Sequence, residues 1–450
     1  MADTTNRFKP QAAGLILAVI FVVALLMRVT AVTQTEVDTP LRADAAQYYL
    51  YAINLKNYGV YSLADNIRRD AELANPPSPD ASRTPGYALF LLPFVDYPPS
   101  VDGLSGVLMT QAVLSALTVL LAYFLFRPAL PAWGALLAAA LTGLSPHLIV
   151  ANVYVLTETL FTFLFVGFTL ALTRCLQRES VPWAVAAGVL LGGTMLVRPT
   201  LSYLLLLLVP ALVWLVPWHQ VKRLAPALVI GCVLVYSPWL ARNALNVPDT
   251  AASTKAIDSV HMGMYPNVMF KDDPATLGYP DRHDPEWSTR TSTADVAAEI
   301  TRRFTDEPLR HLGWYAIGKP TMFFSWNMVV GMGDAFIYPV FTSPYHTSLP
   351  FHISRQAMLW LHWPLTALAL LTLIAAWIPA ARDRFGVTAL LFTRTISLIV
   401  AFFVLVHVAG LPLPRYAIPL RPLIYGSAML GITLLIGMLR NRRGAAPAAS

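Results

Sequence analysis

Charged side chains are scarce in this chain, 13% against about 25% in soluble domains, so the few that sit at the ends of apolar runs stand out. Asp44 lies in LRADAAQYYLYAINLKNYGVYS, Arg83 in SRTPGYALFLLPF, Glu158 in VYVLTETLFTFL, Arg198 in MLVRPT, Arg242 in SPWLARNALNV and Arg415 in LPLPRYAIPL. A carboxylate can accept a proton, and a guanidinium stays cationic and grips two oxygens of one phosphate or carboxylate. Together they would form a basic pocket with an embedded carboxylate, suited to an anionic lipid headgroup and a proton transfer. Each has a simpler reading taken alone. Arginines at helix ends snorkel to the interface, Glu158 in a first helical turn is favoured by the helix dipole, and Asp44 can cap AAQYY. Six such residues on one side of the chain's apolar segments make the shared pocket the stronger expectation.

The elements that must hold them are membrane helices. Of the 450 residues, 56% are hydrophobic, and several runs exceed the roughly 18 apolar residues that cross a bilayer as a helix, without the alternation of a barrel strand. The runs predict spans near 11–33, 104–126, 133–150, 156–173, 183–197, 201–217, 224–241, 356–378, 388–410 and 417–438. The first follows Arg7 and Lys9; it is too long for a signal peptide and carries Arg28 where cleavage would fall, so it reads as a retained anchor. With the N-terminus cytoplasmic, the short loops carry Arg127, Arg174, Arg178, Lys222, Arg223, Arg382 and Arg384, and the tail carries Arg440, Arg442 and Arg443, as the positive-inside rule requires. Two long segments, 34–103 and 242–355, then fall outside.

This organises the chain as an N-terminal module over 1–241 that includes the first long loop, a large exoplasmic or interfacial loop over 242–355, and a C-terminal module over 356–450. The first loop predicts a helix at 43–57 and then a flexible stretch, DNIRRDAELANPPSPDAS. The second opens with turn formers and becomes amphipathic in TADVAAEITRRFTDEPLRHLGWYAIGKPTMFFSWN, a pattern for a segment at the outer interface. The net charge of +7 is spread over span ends rather than gathered in a stripe, which argues against nucleic acid. Cys175 and Cys232 read as structural. His147, His261, His346 and His352 lack metal spacing, and there is no P-loop, Rossmann fingerprint or Gly-x-Ser-x-Gly elbow.

An acid opening the first-loop helix that ends in YGVYS, R-x-PGY-x-LF at Arg83 to Phe90, TE-x-LFTFL at Thr157 to Leu164, the Arg198-Pro199 pair, PW-x-x-RN at Pro238 to Asn243 and RY-x-x-P at Arg415 together resemble the GT-C glycosyltransferases. The branch it resembles is that of the protein O-mannosyltransferases and lipid A aminoarabinose transferases. The resemblance implies an all-α polytopic bundle of about ten, 10–12, transmembrane helices with two long exoplasmic loops. It also implies transfer of a sugar from a polyprenyl phosphate to an exoplasmic lipid, glycan or protein. On that basis Asp44 is the general base, Arg83, Arg242 and Arg415 bind the donor phosphate, and Tyr87, Glu158, Arg198 and Tyr416 contact substrate. One departure is visible: Asp44-Ala45 stands where protein O-mannosyltransferases commonly have an acidic pair, which weakens the case for a protein acceptor.

The sequence therefore leads to a multi-pass enzyme of the cytoplasmic membrane, its site on the exoplasmic or periplasmic side and its partners a polyprenyl-phosphate-linked sugar, the bilayer and an exoplasmic acceptor. No cofactor is implied; a divalent metal is left open, since several arginines facing a monophosphate leaving group can serve without one. The chain stops at RNRRGAAPAAS, so acceptor recognition is expected from the two long loops. A glycan polymerase or ligase using a diphosphate donor is the main alternative. A secondary transporter follows at a distance, because the charges avoid mid-membrane, and a non-enzymatic scaffold is last.

Overall fold

The computed structural model describes residues 10–64, 76–247, 254–289 and 292–444. Arg7 and Lys9, DNIRRDAELAN (65–75) in the stretch expected to be flexible, and the tail beyond 444 lie outside the described residues. Among the described residues the regular structure is helical apart from one two-stranded ribbon. The N-terminal part comprises α1 (Pro10–Gln34), α2 (Asp44–Tyr58), α3 (Gly86–Leu91), α4 (Val101–Phe126), α5 (Ala132–Leu144), α6 (Pro146–Val150), α7 (Glu158–Arg178), α8 (Val181–Val197), α9 (Leu204–Leu215) and α10 (Trp218–Asn246). The second long segment holds α11 (Thr254–Gly263), α12 (Thr293–Asp306), α13 (Pro308–Gly313), α14 (Lys319–Phe323) and α15 (Pro344–Thr347). Then come α16 (Leu349–Ala375), α17 (Ala381–Phe385), α18 (Val387–Ala409) and α19 (Arg421–Gly444).

All ten predicted apolar segments are helical, but they differ in reach. Among the described residues seven helices are long and apolar enough to cross a bilayer, and the pair formed by α5 and the 146–153 segment, bent by 50°, makes an eighth when taken as one span. The remaining two, α8 with 17 residues and α9 with 12, rise only about 25 and 18 Å against a hydrocarbon core of about 30 Å.

The bend in the eighth span has a cause in sequence. Pro146 has no N–H to give to the carbonyl four residues back, Thr142, so the oxygens of Thr142 and Gly143 are left without helical partners. Arg28, fully buried in α1, supplies them: its Nη1 donates to Gly143 O at 2.8 Å and Ala24 O at 3.0 Å, its Nη2 to Thr142 O at 3.2 Å, and its Nε to Ser115 Oγ at 2.7 Å. One guanidinium thus ties α1, α4 and α5 together.

Where the short α8 crosses α10, glycine permits the approach. A Cβ at Gly188 would sit 2.0 Å from the Leu228 carbonyl oxygen, and one at Gly231 would sit 2.5 Å from that of Val185. Backbones this close exclude any side chain at either position.

The two long segments meet. Strand β1 (Glu36–Val37) pairs antiparallel with β2 (Val340–Thr342), Glu36 opposite Thr342 and Val37 opposite Val340. Asp38 N extends the pairing to Pro339 O at 3.0 Å. The ribbon closes one end of the bundle just before α2 begins, so a residue of the second segment, Tyr338, comes to lie beside the start of that helix.

Candidate active site

Asp44 is the first residue of α2. Ahead of it, Ala43 holds φ +46° and ψ −116°, a strained setting for an L-residue with a Cβ. No side-chain cap is made there; instead of capping AAQYY, the Asp44 carboxylate faces arginines. Its Oδ1 accepts from Arg83 Nη2 at 2.6 Å, and its Oδ2 lies 3.0 Å from Arg415 Nη1. Residues three and four positions on share its helix face. Accordingly Gln47 Oε1 accepts from Arg83 Nε at 2.7 Å and Tyr48 Oη from Arg83 Nη1 at 3.1 Å. All three donor positions of Arg83 are thus engaged by one face of α2.

Arg415, on the turn before α19, bridges to a second acid. Its Nε donates to Glu158 Oε1 at 2.9 Å, and Arg198 Nη2 donates to the same oxygen at 2.5 Å. Arg198 also donates from Nε to Thr157 Oγ1 at 2.7 Å and lies 5.4 Å from the centre of the Tyr416 ring. Glu158 opens α7 with its side chain fully buried, and its Oε2 has no hydrogen-bond partner among the described residues. Asp44, Arg83, Arg198 and Arg415 keep 29%, 20%, 11% and 15% of their side-chain surface exposed, so the cluster opens on its Asp44 side.

The electrostatic sum has a sign. Three guanidiniums alternate with two carboxylates, which leaves one positive charge uncompensated in a desolvated setting where it is worth far more than in water. Burial pushes the Asp44 carboxyl up, but Arg415 and Arg83, with Arg198 behind them, pull it down further, and it ends well below the usual carboxylate range. For Arg83 the order is similar: burial lowers it, and the Tyr48 and Asp44 oxygens raise it by more, locking it as a cation.

Two of the expected contacts lie elsewhere. Arg242 does not join the cluster; its Nη1 donates to Asp80 O at 2.7 Å and its Nη2 to Tyr61 O at 2.8 Å, with its guanidinium between the Tyr61 and Trp239 rings. The loop that Asp80 organises through Leu63 N, Ser82 N and the Tyr51 hydroxyl has taken up that arginine. Tyr87 is completely buried, its hydroxyl donating to Gln111 Oε1 at 2.7 Å and its ring packing edge-on against Tyr48. It therefore supports the Arg83 platform from behind and cannot touch a ligand. Tyr416 is half-buried between Arg198 and Arg415.

Sequence reasoning missed Gln47, Tyr48 and Tyr338. The spacing Asp44-x-x-Gln47-Tyr48 was a readable signal for the first two. Tyr338, whose ring lies 5.5 Å from the Arg42 guanidinium and whose hydroxyl is buried, carries none, because it arrives through the ribbon. Among the described residues no group of three or more His, Cys, Asp or Glu side chains converges as a metal site would require.

Comparison with known proteins bears on residues 101–241, which match the family described as dolichyl-phosphate-mannose-protein mannosyltransferase. That stretch holds Glu158 and Arg198 but not Asp44, Arg83 or Arg415. The match supports the resemblance to GT-C glycosyltransferases carried by the motifs. Among solved structures, the archaeal oligosaccharyltransferase AglB from Archaeoglobus fulgidus, in complex with an inhibitory peptide and a dolichol-phosphate, aligns over 97% of this chain and 52% of its own, with 11% identity and a TM-score of 0.49. The chain thus spans about half the length of that protein. ArnT from Cupriavidus metallidurans bound to undecaprenyl phosphate aligns over 94% of this chain and 77% of its own, with 16% identity and a TM-score of 0.38. No curated protein matches by sequence.

Proposed function

We propose that this protein is a membrane glycosyltransferase that moves a sugar from a polyprenyl-phosphate carrier to a hydroxyl-bearing acceptor at the exoplasmic face. The observation that carries the reading is Arg415 bridging Asp44 and Glu158, with Arg83 and Arg198 completing a net positive, partly open cluster. Such a site suits a phosphate leaving group with a proton acceptor beside it. The family matched by residues 101–241 supports the donor class.

In the proposed reaction the donor phosphate takes hydrogen bonds from Arg83 and Arg415. The acceptor oxygen attacks the anomeric carbon in line, with inversion, and its proton passes to Asp44. The bond from that carbon to the phosphate oxygen breaks with its electron pair going to the phosphate, and polyprenyl phosphate is released. Glu158, whose side chain is as fully buried as that of Tyr87, is a positioning residue that holds Arg198 and Arg415. Arg242 and Tyr87 are positioning residues, one for the stretches about Tyr61 and Asp80 and one for Tyr48.

The depressed Asp44 has a consequence for order. A carboxylate locked to two arginines is a poor base, because efficient proton transfer needs a pKa nearer the working pH. An incoming phosphate competes for the same guanidiniums and frees the carboxylate, so Asp44 becomes basic only once the donor is bound. The test is turnover of the purified protein in proteoliposomes with polyprenyl-phosphate sugars, mannose first. Release of polyprenyl phosphate that stops in Asp44→Asn is expected; consumption of a diphosphate-linked donor alone, or full activity of Asp44→Asn, overturns the reading.

A further inference from the structure

A second cleft, of about 290 Å³, lies outside the Asp44 cluster, between the 265–272 loop and the helices α12 and α13. We infer that it is a binding site for an acidic sugar, one that carries a single carboxylate or phosphate together with free hydroxyls. The volume is near the lower end of the range for small-ligand pockets, about 300 Å³.

The backbone at its rim is strained in four places. Asn267, Val268, Lys271 and Asp272 all hold positive φ, between +51° and +59°. For Val268, branched at Cβ, this is a setting that L-residues rarely occupy. The strain is held by Gly278 N donating to Val268 O at 2.9 Å, Phe270 N to Thr276 Oγ1 at 2.9 Å and Arg310 Nη2 to Asp272 Oδ2 at 2.5 Å. Strain of this kind persists only where its surroundings over-determine it, and it gathers at ligand clamps.

The charges at the cleft are unevenly used. The buried Glu299 carboxylate holds two arginines, Arg302 through both oxygens at 2.8 Å and Arg303 through Nε at 2.7 Å. Arg303 lies over the Tyr265 ring at 4.3 Å, and among the described residues neither its Nη atoms nor the Nζ of Lys271 has an acceptor. The same cleft is lined by the carboxylates of Asp284, Glu286, Asp306 and Glu307. Spare cationic donors beside fixed carboxylate acceptors complement a molecule with one anionic group and several hydroxyls. A bare phosphate would meet the acids as well, and a neutral sugar would leave the cations unused.

The inference rests on this segment's own geometry, and its test reads binding rather than turnover, so it stands or falls separately from the transferase reading. The full-length protein in nanodiscs is titrated by isothermal calorimetry with glucuronate, glucose 6-phosphate, glucose and inorganic phosphate. Saturable binding of either acidic sugar is expected, with glucose and phosphate at least tenfold weaker; which of the two binds more tightly assigns the anionic group. The Lys271→Met, Arg303→Gln double variant is expected to weaken that binding at least tenfold. Failure of both acidic sugars to bind, phosphate binding as tightly as glucose 6-phosphate, or an unchanged affinity in a folded double variant overturns the inference. Should the double variant not fold, the exposed-site variant Lys271→Glu decides by the same criterion.

Discussion

Of the places where the described residues bury arginine charge, two solve the problem in opposite ways. Arg28 sits within α1, wholly buried, and meets only neutral oxygens: three carbonyls and a hydroxyl. At the bundle end, Arg83, Arg198 and Arg415 meet carboxylates and keep part of their surface open. Neutral acceptors leave a charge nothing to exchange, so Arg28 serves as a fixed tie for a broken helix. Carboxylates can be displaced by another anion, so the second cluster can trade partners. Burial and charge alone do not mark a site; the nature of the partner and access to it do.

The sharpest way to break this comparison is to remove each centre in turn. Asp44→Asn is expected to lower turnover by about 10²–10⁴-fold while still folding in good yield, whereas Arg28→Leu is expected to lose folded yield. That loss follows from stranding the Thr142 and Gly143 carbonyls, at about 1–3 kcal/mol for each unsatisfied buried group. An Arg28→Leu protein that is stable yet inactive would sink the distinction. Arg415→Gln comes next: it removes the bridge between both acids, and a fall of about 10²–10³-fold in kcat is expected, measured with saturating donor.

Arg242 sharpens the comparison, because sequence alone grouped it with the cluster. Since its donors are spent on the carbonyls of Asp80 and Tyr61, Arg242→Gln is expected to change turnover less than about tenfold while loosening the stretches about Tyr61 and Asp80, the energy at stake being about that of one or two hydrogen bonds. Hydrogen exchange over 61–64 and 76–82 measures this. A loss as large as that of Arg415→Gln would return Arg242 to the phosphate site.

The smallest expected effect is in pH. Because the folded Asp44 carboxyl is depressed, its stabilising contribution is complete above its ordinary value of about 3.9 and is lost as pH falls through the depressed folded value. The difference in thermal midpoint between wild type and Asp44→Asn should therefore be constant from pH 8 to 5 and shrink below about 4. In kinetics, kcat/KM for the donor should show no Asp44 titration above that pH, while kcat, which reports the donor complex, should gain an acid limb at higher pH. Coincident limbs would remove the donor-coupled basicity.

Much of the architecture was legible because apolar length is a one-dimensional property. All ten predicted segments are helical, and the helix predicted at 43–57 appears at Asp44–Tyr58. The number able to span was less legible, since Pro146 breaks one segment and α8 and α9 fall short of the hydrocarbon thickness.

What the sequence by itself determined is the inventory: helices suited to lipid, and a small set of acids and arginines placed at their ends, because each ionisable group far from water carries a cost that composition reveals. Which of those groups meet was decided only by the tertiary structure. Asp44, Arg83, Glu158, Arg198 and Arg415 come together from five separate stretches, while Arg242 was claimed by a neighbouring loop and Tyr87 by Gln111. The physical reason is that hydrogen-bond donors are satisfied by whichever acceptor packing brings within about 3 Å, and contacts across a hundred or more residues leave no periodicity to read.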